Sequence, residues 1–336
     1  MARCLVLLLA CVLTAGVAAG PRTAQAAPMA WKVQVGADSP DHGIQAQDFF
    51  PHTIAIDAGD TIAWTMSAEF AHTVSFLSGA QPPGIALPQK DGRLEFNPLI
   101  ALPQGGRTYG GRGVVSSGFL EGRGKTYTLT FTTPGQYRYD CLIHPGMSGT
   151  VIVRPRGTRL TETQADYDRI ARGGMAAALQ GGRKVLDAGT VQTSVSATTG
   201  TVHTISLGGS AEARASVIRF APEAVTIKAG DTVRWIMKDP FEIHTVTFVG
   251  SQQPPEFIVA EPQPQGPPRF YFHPKAARPI GGAVHNGAGY YNSGILFPTV
   301  APGPKVYALT FTKPGTYTYW CVVHVPQGMK GVVIVR

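Results

Sequence analysis

The sequence is poor in charge. Only 15% of its 336 residues are Asp, Glu, Lys or Arg, against roughly a quarter in an average soluble protein, which excludes a disordered polyelectrolyte. Apolar runs long enough for a bilayer are also missing beyond the N-terminal segment, so a multi-span membrane protein is excluded. Cysteine is scarce: the chain has 4, and Cys4 and Cys11 fall in that N-terminal segment. Only Cys141 and Cys321 remain for a mature protein. No His-x-His pair and no twin-Arg pair occurs. No basic cluster is interleaved with aromatics, which argues against a nucleic-acid partner.

The N-terminal segment reads as an export signal. Arg3 supplies the charge before an apolar stretch from Leu5 to Ala19, and Ala24-Gln25-Ala26 fits a small-x-small cleavage site, giving a signal over 1–26. Fifteen residues are short for a membrane anchor. Cys11 lies too close to the N-terminus, inside a continuing apolar run, for a lipoprotein box. The expected location is extracytoplasmic, with at most peripheral membrane contact. Exported proteins usually pair their cysteines. Cys141 and Cys321, however, hold equivalent positions in a repeat, so each is expected to have its own partner.

The length suits two domains, and the mature chain is a tandem duplication. Lys125 to Cys141 lines up with Lys305 to Cys321 at 11 of 17 positions. Upstream, Pro51, Gly59, Asp60 and Trp64 match Pro222, Gly230, Asp231 and Trp235; downstream, 149–154 matches 331–336. Repetition on this scale means two copies of one fold. In each copy apolar and polar residues alternate with period two, as Tyr127, Leu129 and Phe131 do with Thr126, Thr128 and Thr130, the pattern of half-buried strands. Pro134-Gly135 and Pro314-Gly315 mark tight turns, while Ala58-Gly59-Asp60 and Ala229-Gly230-Asp231 read as hairpin signals. With 40 Gly and 27 Pro to punctuate short strands, the expected class is all-β: two tandem β-sandwiches over 27–155 and 201–336. A connector, 156–200, joins them. Its Thr161-x-x-Gln164 could cap a helix through Tyr167, Ile170, Ala171 and Leu179, which Gly173-Gly174 would interrupt. Residues 193–200 look flexible.

The chemistry is carried by two loops. Cys141-x2-His144-Pro-Gly-Met147 places thiolate, imidazole and thioether close together, and Cys321-x2-His324-x4-Met329 repeats this with two more residues before the Met. A second imidazole lies upstream in a matching H-T-V-x-F context, at His72 and at His244. Two His, one Cys and one weak Met make the ligand set of a blue-copper electron-transfer centre. The soft thiolate and the imidazoles accept both Cu(I) and Cu(II). One such motif arises by chance; two in register with matching upstream partners do not. The predicted metal ligands are therefore His72, Cys141, His144 and Met147 in the first copy and His244, Cys321, His324 and Met329 in the second. His42, His52, His203, His273 and His285 have no repeated ligand context and are expected on the surface or in loops. Trp64 and Trp235 are expected in the core, and Trp320, beside Cys321, could tune electron coupling.

On these motifs the sequence resembles the cupredoxins, specifically plastocyanin/azurin-like domains. The loop ending in Met329 has the plastocyanin and pseudoazurin spacing, and the loop ending in Met147 the shorter amicyanin spacing. The resemblance covers residues about 30–155 and 205–336. It implies an eight-stranded Greek-key sandwich in each domain. It also implies that His144 and His324 have an edge near the surface, where electrons enter and leave. More residues separate His72 from Cys141, and His244 from Cys321, than a minimal domain of this kind needs. The excess, including Gly105 to Ser117 and Gly281 to Ser293 with a repeated Ser-Gly-x-Leu, is expected to form loops over the copper end.

The expected function is a two-centre type 1 copper electron carrier, not an enzyme, working between a redox donor and an acceptor protein. Residues 201–336 carry 12 basic against 7 acidic side chains, net +5, while 28–155 carry 9 against 10, net −1. An acidic partner would therefore dock on the second domain. Multicopper oxidases and copper nitrite reductases duplicate the same fold, but a His commonly adjoins the ligand Cys in them. Here the neighbours are Asp140 and Leu142, and Trp320 and Val322. Copper storage or delivery with the same ligands is the remaining alternative.

Overall fold

The computed structural model describes residues 27–158, 161–189, 191–196 and 200–336; the expected signal over 1–26 lies outside the described residues. Each copy folds into two facing sheets. In the first, the strands Ile44–Phe50, Ala30–Asp38, Thr61–Met66, Thr126–Phe131 and Thr108–Tyr109 form one layer. Thr53–Asp57, Ser148–Arg154, Gly135–Asp140, Ser75–Phe76 and Val115–Ser116 form the other. Period-two patterning sets the inward faces: Ile62, Trp64 and Met66 are buried and alternate with half-buried neighbours. The second copy repeats this, so that Trp64 packs edge-on to Phe76 and Tyr139 just as Trp235 does to Phe248 and Tyr319.

Each sandwich is wider than the eight strands implied by the resemblance. In the first copy, the additions Thr108–Tyr109 and Val115–Ser116 come from the inserted 105–117 segment and extend one edge of each layer. The expected Ala-Gly-Asp hairpins are instead crossings between layers: Thr53–Asp57 pairs with Ser148–Arg154, while Thr61–Met66 pairs with Ala30–Asp38. The aspartate fixes the crossing. Asp60 accepts hydrogen bonds from the Met29 and Asp57 amides and from Trp31 Nε1 at 2.8–3.1 Å. Asp231 accepts from the Thr201 and Lys228 amides, with His203 Nε2 at 3.2 Å where Trp31 stands in the first copy.

The two copies share a sheet. Ile44–Phe50 pairs antiparallel with Ala215–Ala221, matching Ala46 to Ala215, Gln45 to Ser216 and Ile44 to Val217, so both front layers fuse into one eleven-stranded sheet. The helix Gln164–Asp187 lies across this seam and packs on both strands. Its cap is Thr163 rather than Thr161, because Asp166 completes the reciprocal capping box, whereas Gln164 reaches the Lys32 amide. Gly173-Gly174 does not interrupt it. A Cβ on Gly174 would stand 2.9 Å from Phe50 Cδ1, so the glycine lets the helix approach the sheet and offsets its propensity cost of about 1 kcal/mol. Of the residues expected to be flexible, 193–196 form structure, Gln192–Ser196 pairing with Gly200–Ser210, while 197–199 lie outside the described residues. No described helix is long and apolar enough to cross a membrane.

The inserted segments of both copies meet. Ala86–Pro88 and Leu94–Phe96 join Arg269–Phe272 and Ile258–Glu261 in a four-stranded sheet, closed by Arg269 Nε on Glu95 Oε1 at 2.7 Å. Behind it Phe96, Ile100 and Phe272 pack with Leu142 and Ile143 of the Cys141–His144 loop. The insertions thus cover the end of the molecule where the cysteines lie.

Candidate metal centres

Cys141 follows the strand Gly135–Asp140, and its amide donates to the Met147 carbonyl at 2.9 Å, closing the loop through His144. Cys321 does the same with Met329 at 3.1 Å; the two additional residues are taken up in a turn closed by Gly328 N on Val325 O. His72 arrives from elsewhere in the chain, held by paired backbone bonds with Leu120, and His244 by the same pair with Leu296. These leucines end the repeated Ser-Gly-x-Leu motif. Its serines accept hydrogen bonds from the Val74 and Val246 amides at 2.9 and 2.8 Å.

The structure brings three predicted ligands of each copy together. Cys141 Sγ lies 3.4 Å from His144 Nδ1 and 3.8 Å from His72 Nδ1, and the two nitrogens are 3.0 Å apart. Cys321 Sγ lies 3.4 Å from His324 Nδ1 and 3.7 Å from His244 Nδ1. All six residues are buried. Met147 and Met329 are fully buried in the same packed clusters as the two cysteines. Metal bonds of about 2.0 Å to nitrogen and 2.3 Å to sulfur, spread around one ion, put a sulfur and a nitrogen donor about 3.5–3.7 Å apart, which the 3.4–3.8 Å sulfur–nitrogen separations of both copies match.

Electrostatics favour an anionic sulfur. Burial by itself raises the Cys141 thiol, but the facing His144 and His72 rings outweigh it and hold the group well below the usual thiol range. Cys321 is held low in the same way by His324 and His244. Conversely, His324 is pushed up to about 10, its burial outweighed by the Cys321 thiolate and by Glu242. The Thr73 and Thr245 amides point at the sulfurs at 3.4 and 3.3 Å, and their hydroxyls accept from the Leu142 and Val322 amides. The threonine of H-T-V-x-F therefore ties the upstream His segment to the Cys loop.

A family model described as copper binding proteins, plastocyanin/azurin family, matches residues 39–154 and 208–336. The chain belongs to this family. The chloroplastic plastocyanin of Tetradesmus obliquus is 32% identical over 145 residues, covering 42% of this chain and 78% of that protein. Amicyanin-alpha of Methylorubrum extorquens is 30% identical over 141 residues, 42% of this chain and 87% of its own. Among solved structures, an oxidised amicyanin mutant matches 37% of this chain and 82% of its own, at 21% identity and a TM-score of 0.24.

Against the expectation taken from plastocyanin/azurin-like domains, the outer histidine edges are not at the surface. His144 is 6% exposed and His324 3%. The two copies turn these edges toward one another across the seam, onto a single side chain. Between them stands Glu242, with Oε1 at 2.8 Å from His144 Nε2 and Oε2 at 3.5 Å from His324 Nε2. Glu242 is buried, and Gln47 of the first copy donates to its Oε1 at 3.0 Å. A second buried carboxylate, Asp239, places Oδ2 3.6 Å from His244 Nε2. In the first copy, His72 Nε2 instead lies against Gly36, where a Cβ would come within 2.6 Å.

Sequence reasoning missed Glu242 and Asp239 because it followed the repeat. At the His72-to-His244 offset their counterparts are Phe70 and Ser67, so no matching pair marked them. Another correction concerns His285, expected on the surface or in a loop but found in the short strand Val284–His285. It is 3% exposed and stacks among Phe248, Tyr291, Phe311 and Tyr317, where Tyr109 packs in the first copy. His273 caps the short helix Pro274–Ala277, accepting from the Lys275 amide.

Proposed function

We propose that the chain is an exported electron-transfer protein, not itself an enzyme, with one type 1 copper centre in each of two domains, 27–155 and 201–336, joined by 156–200. His72, Cys141, His144 and Met147 would hold one ion, and His244, Cys321, His324 and Met329 the other. The observation that carries this reading is the same buried triangle of two imidazole nitrogens and one sulfur, built twice from sequence-equivalent residues. Copper there supplies a one-electron step between Cu(I) and Cu(II).

The chain's own residues keep that step inexpensive in reorganisation. Thr73 and Thr245 fix the sulfurs, paired backbone bonds fix His72 and His244, and burial keeps water from the donors. The side chains adjoining Cys141 and Cys321 in sequence are not histidines, which argues against oxidase or nitrite reductase chemistry. The leader pattern over 1–26 supports export, and the net +5 of 201–336 favours an acidic redox partner on the second domain. Copper loading should produce an intense thiolate-to-copper visible band that bleaches on reduction and returns on oxidation. Its absence in copper-loaded protein would sink this reading. Metal held against a competing chelator marks a carrier, whereas rapid surrender marks a store or delivery protein. Turnover with oxygen or nitrite should be absent.

A further inference from the structure

Glu242 is a buried acid with two distinct neighbours, one on each side of the domain seam. Its Oε1 lies 2.8 Å from His144 Nε2 and 3.0 Å from Gln47 Nε2; its Oε2 lies 3.5 Å from His324 Nε2. Both histidines direct Nδ1 at their own cysteine, at 3.4 Å in each case. The nitrogen facing Glu242 is therefore the one left over after metal binding. A ligating histidine commonly gives its second ring N–H to a carboxylate, which fixes the ring and raises its basicity. Here one carboxylate stands in that place for two rings belonging to two centres.

We propose that Glu242 is a positioning residue shared by both metal centres, orienting His144 and His324 together and coupling the two sites through a single buried carboxylate. This goes beyond the copper reading but rests on its ligand assignment. Three features support sharing over a contact with one site. The two oxygens face different rings. The donor from Gln47, on the strand that forms the seam, holds the carboxylate from the opposite domain. The backbone amide of Glu242 is in turn held by Asp239 Oδ1 at 3.1 Å, the residue whose other oxygen faces His244.

The test uses the full chain in four forms: wild type, Glu242→Gln, Glu242→Asp and Arg269→Ala. The last removes a contact between the inserted strands that touches no predicted ligand, and so serves as the control for domain docking. Metal affinity at each site is measured by titration with Cu(II) and separately with Zn(II). Reduction potentials of both centres are measured by spectroelectrochemistry, with Cys141→Ser and Cys321→Ser backgrounds isolating each band. Glu242→Gln should weaken both sites about 10–100-fold, the usual loss for an outer partner, and raise both potentials, since a negative charge that favours the oxidised ion is gone. Glu242→Asp, which keeps the charge, should recover most of the potential at both. The proposal is overturned if Glu242→Gln changes one site or neither, if Glu242→Asp gives no recovery, or if Arg269→Ala produces the same shifts. Loss of the thiolate band from wild type would instead reject the ligand assignment itself, so the two failures are distinguishable.

Discussion

At the first centre, His72 lies against Gly36, Asp140 precedes the cysteine, and Glu242 approaches His144 to 2.8 Å. At the second, His244 faces Asp239, Trp320 precedes the cysteine, and Glu242 stands at 3.5 Å from His324. Duplication kept the three close donors and the threonine clamp, while the surroundings diverged. Donors decide which metal is accepted; the charges behind the rings set how readily an electron enters. One fold can thus hold two centres of one chemical type with different potentials, and the asymmetric carboxylates are the place to look for that difference.

The comparison breaks most simply at the cysteines. Cys141→Ser should remove the whole visible band of the first centre and leave the second intact, and Cys321→Ser should do the reverse. Loss of both bands in either variant would show that the centres are not independent binding sites. Next in size is the packing they share. Trp64→Ala and Trp235→Ala should each destabilise the chain by about 3–5 kcal/mol, read by denaturant unfolding, because each tryptophan sits in the equivalent buried aromatic cluster of its own copy. Unequal losses would mean that the two cores have diverged as the surroundings of the metals have.

Smaller effects separate the two ends. Asp239→Asn should raise the potential of the second centre and leave the first nearly unchanged, by a shift on the order of 60 mV, a tenfold change in a one-electron equilibrium; equal shifts at both centres would count against a local role. Gly36→Ala is its counterpart in the first domain. A left-handed backbone at φ +60 with a Cβ directed into His72 should cost about 1–2 kcal/mol and disturb only the first visible band. The smallest expected effect is Thr163→Ala, which removes the cap of the seam helix and should cost about 1 kcal/mol without moving either potential.

Much of this is legible in the sequence alone. Period-two alternation exposed the strands, and a repeat with matching His, Cys and Met positions exposed both clusters, because those signals are local or duplicated. What escaped was everything that depends on how the copies meet. The pairing of Ala46 with Ala215 leaves no mark in either strand, since an edge strand and a paired one share the same alternation. Burial of the His144 and His324 edges follows from that pairing and was invisible for the same reason. Glu242 and Asp239 occur once each, so a search guided by repetition passes over them. His285 reads as polar by itself and is buried only because an aromatic shell from four other residues surrounds it. Gly173-Gly174 reads as a break until Phe50 is seen to need the space.

Anomalous scattering at the copper edge from crystals of the copper-loaded chain tests the central claim most directly. The account predicts two peaks, one inside the triangle of His72, Cys141 and His144 and one inside that of His244, Cys321 and His324, with Glu242 between them and bound to neither. A single peak, or a peak at Glu242 between His144 and His324, would contradict it.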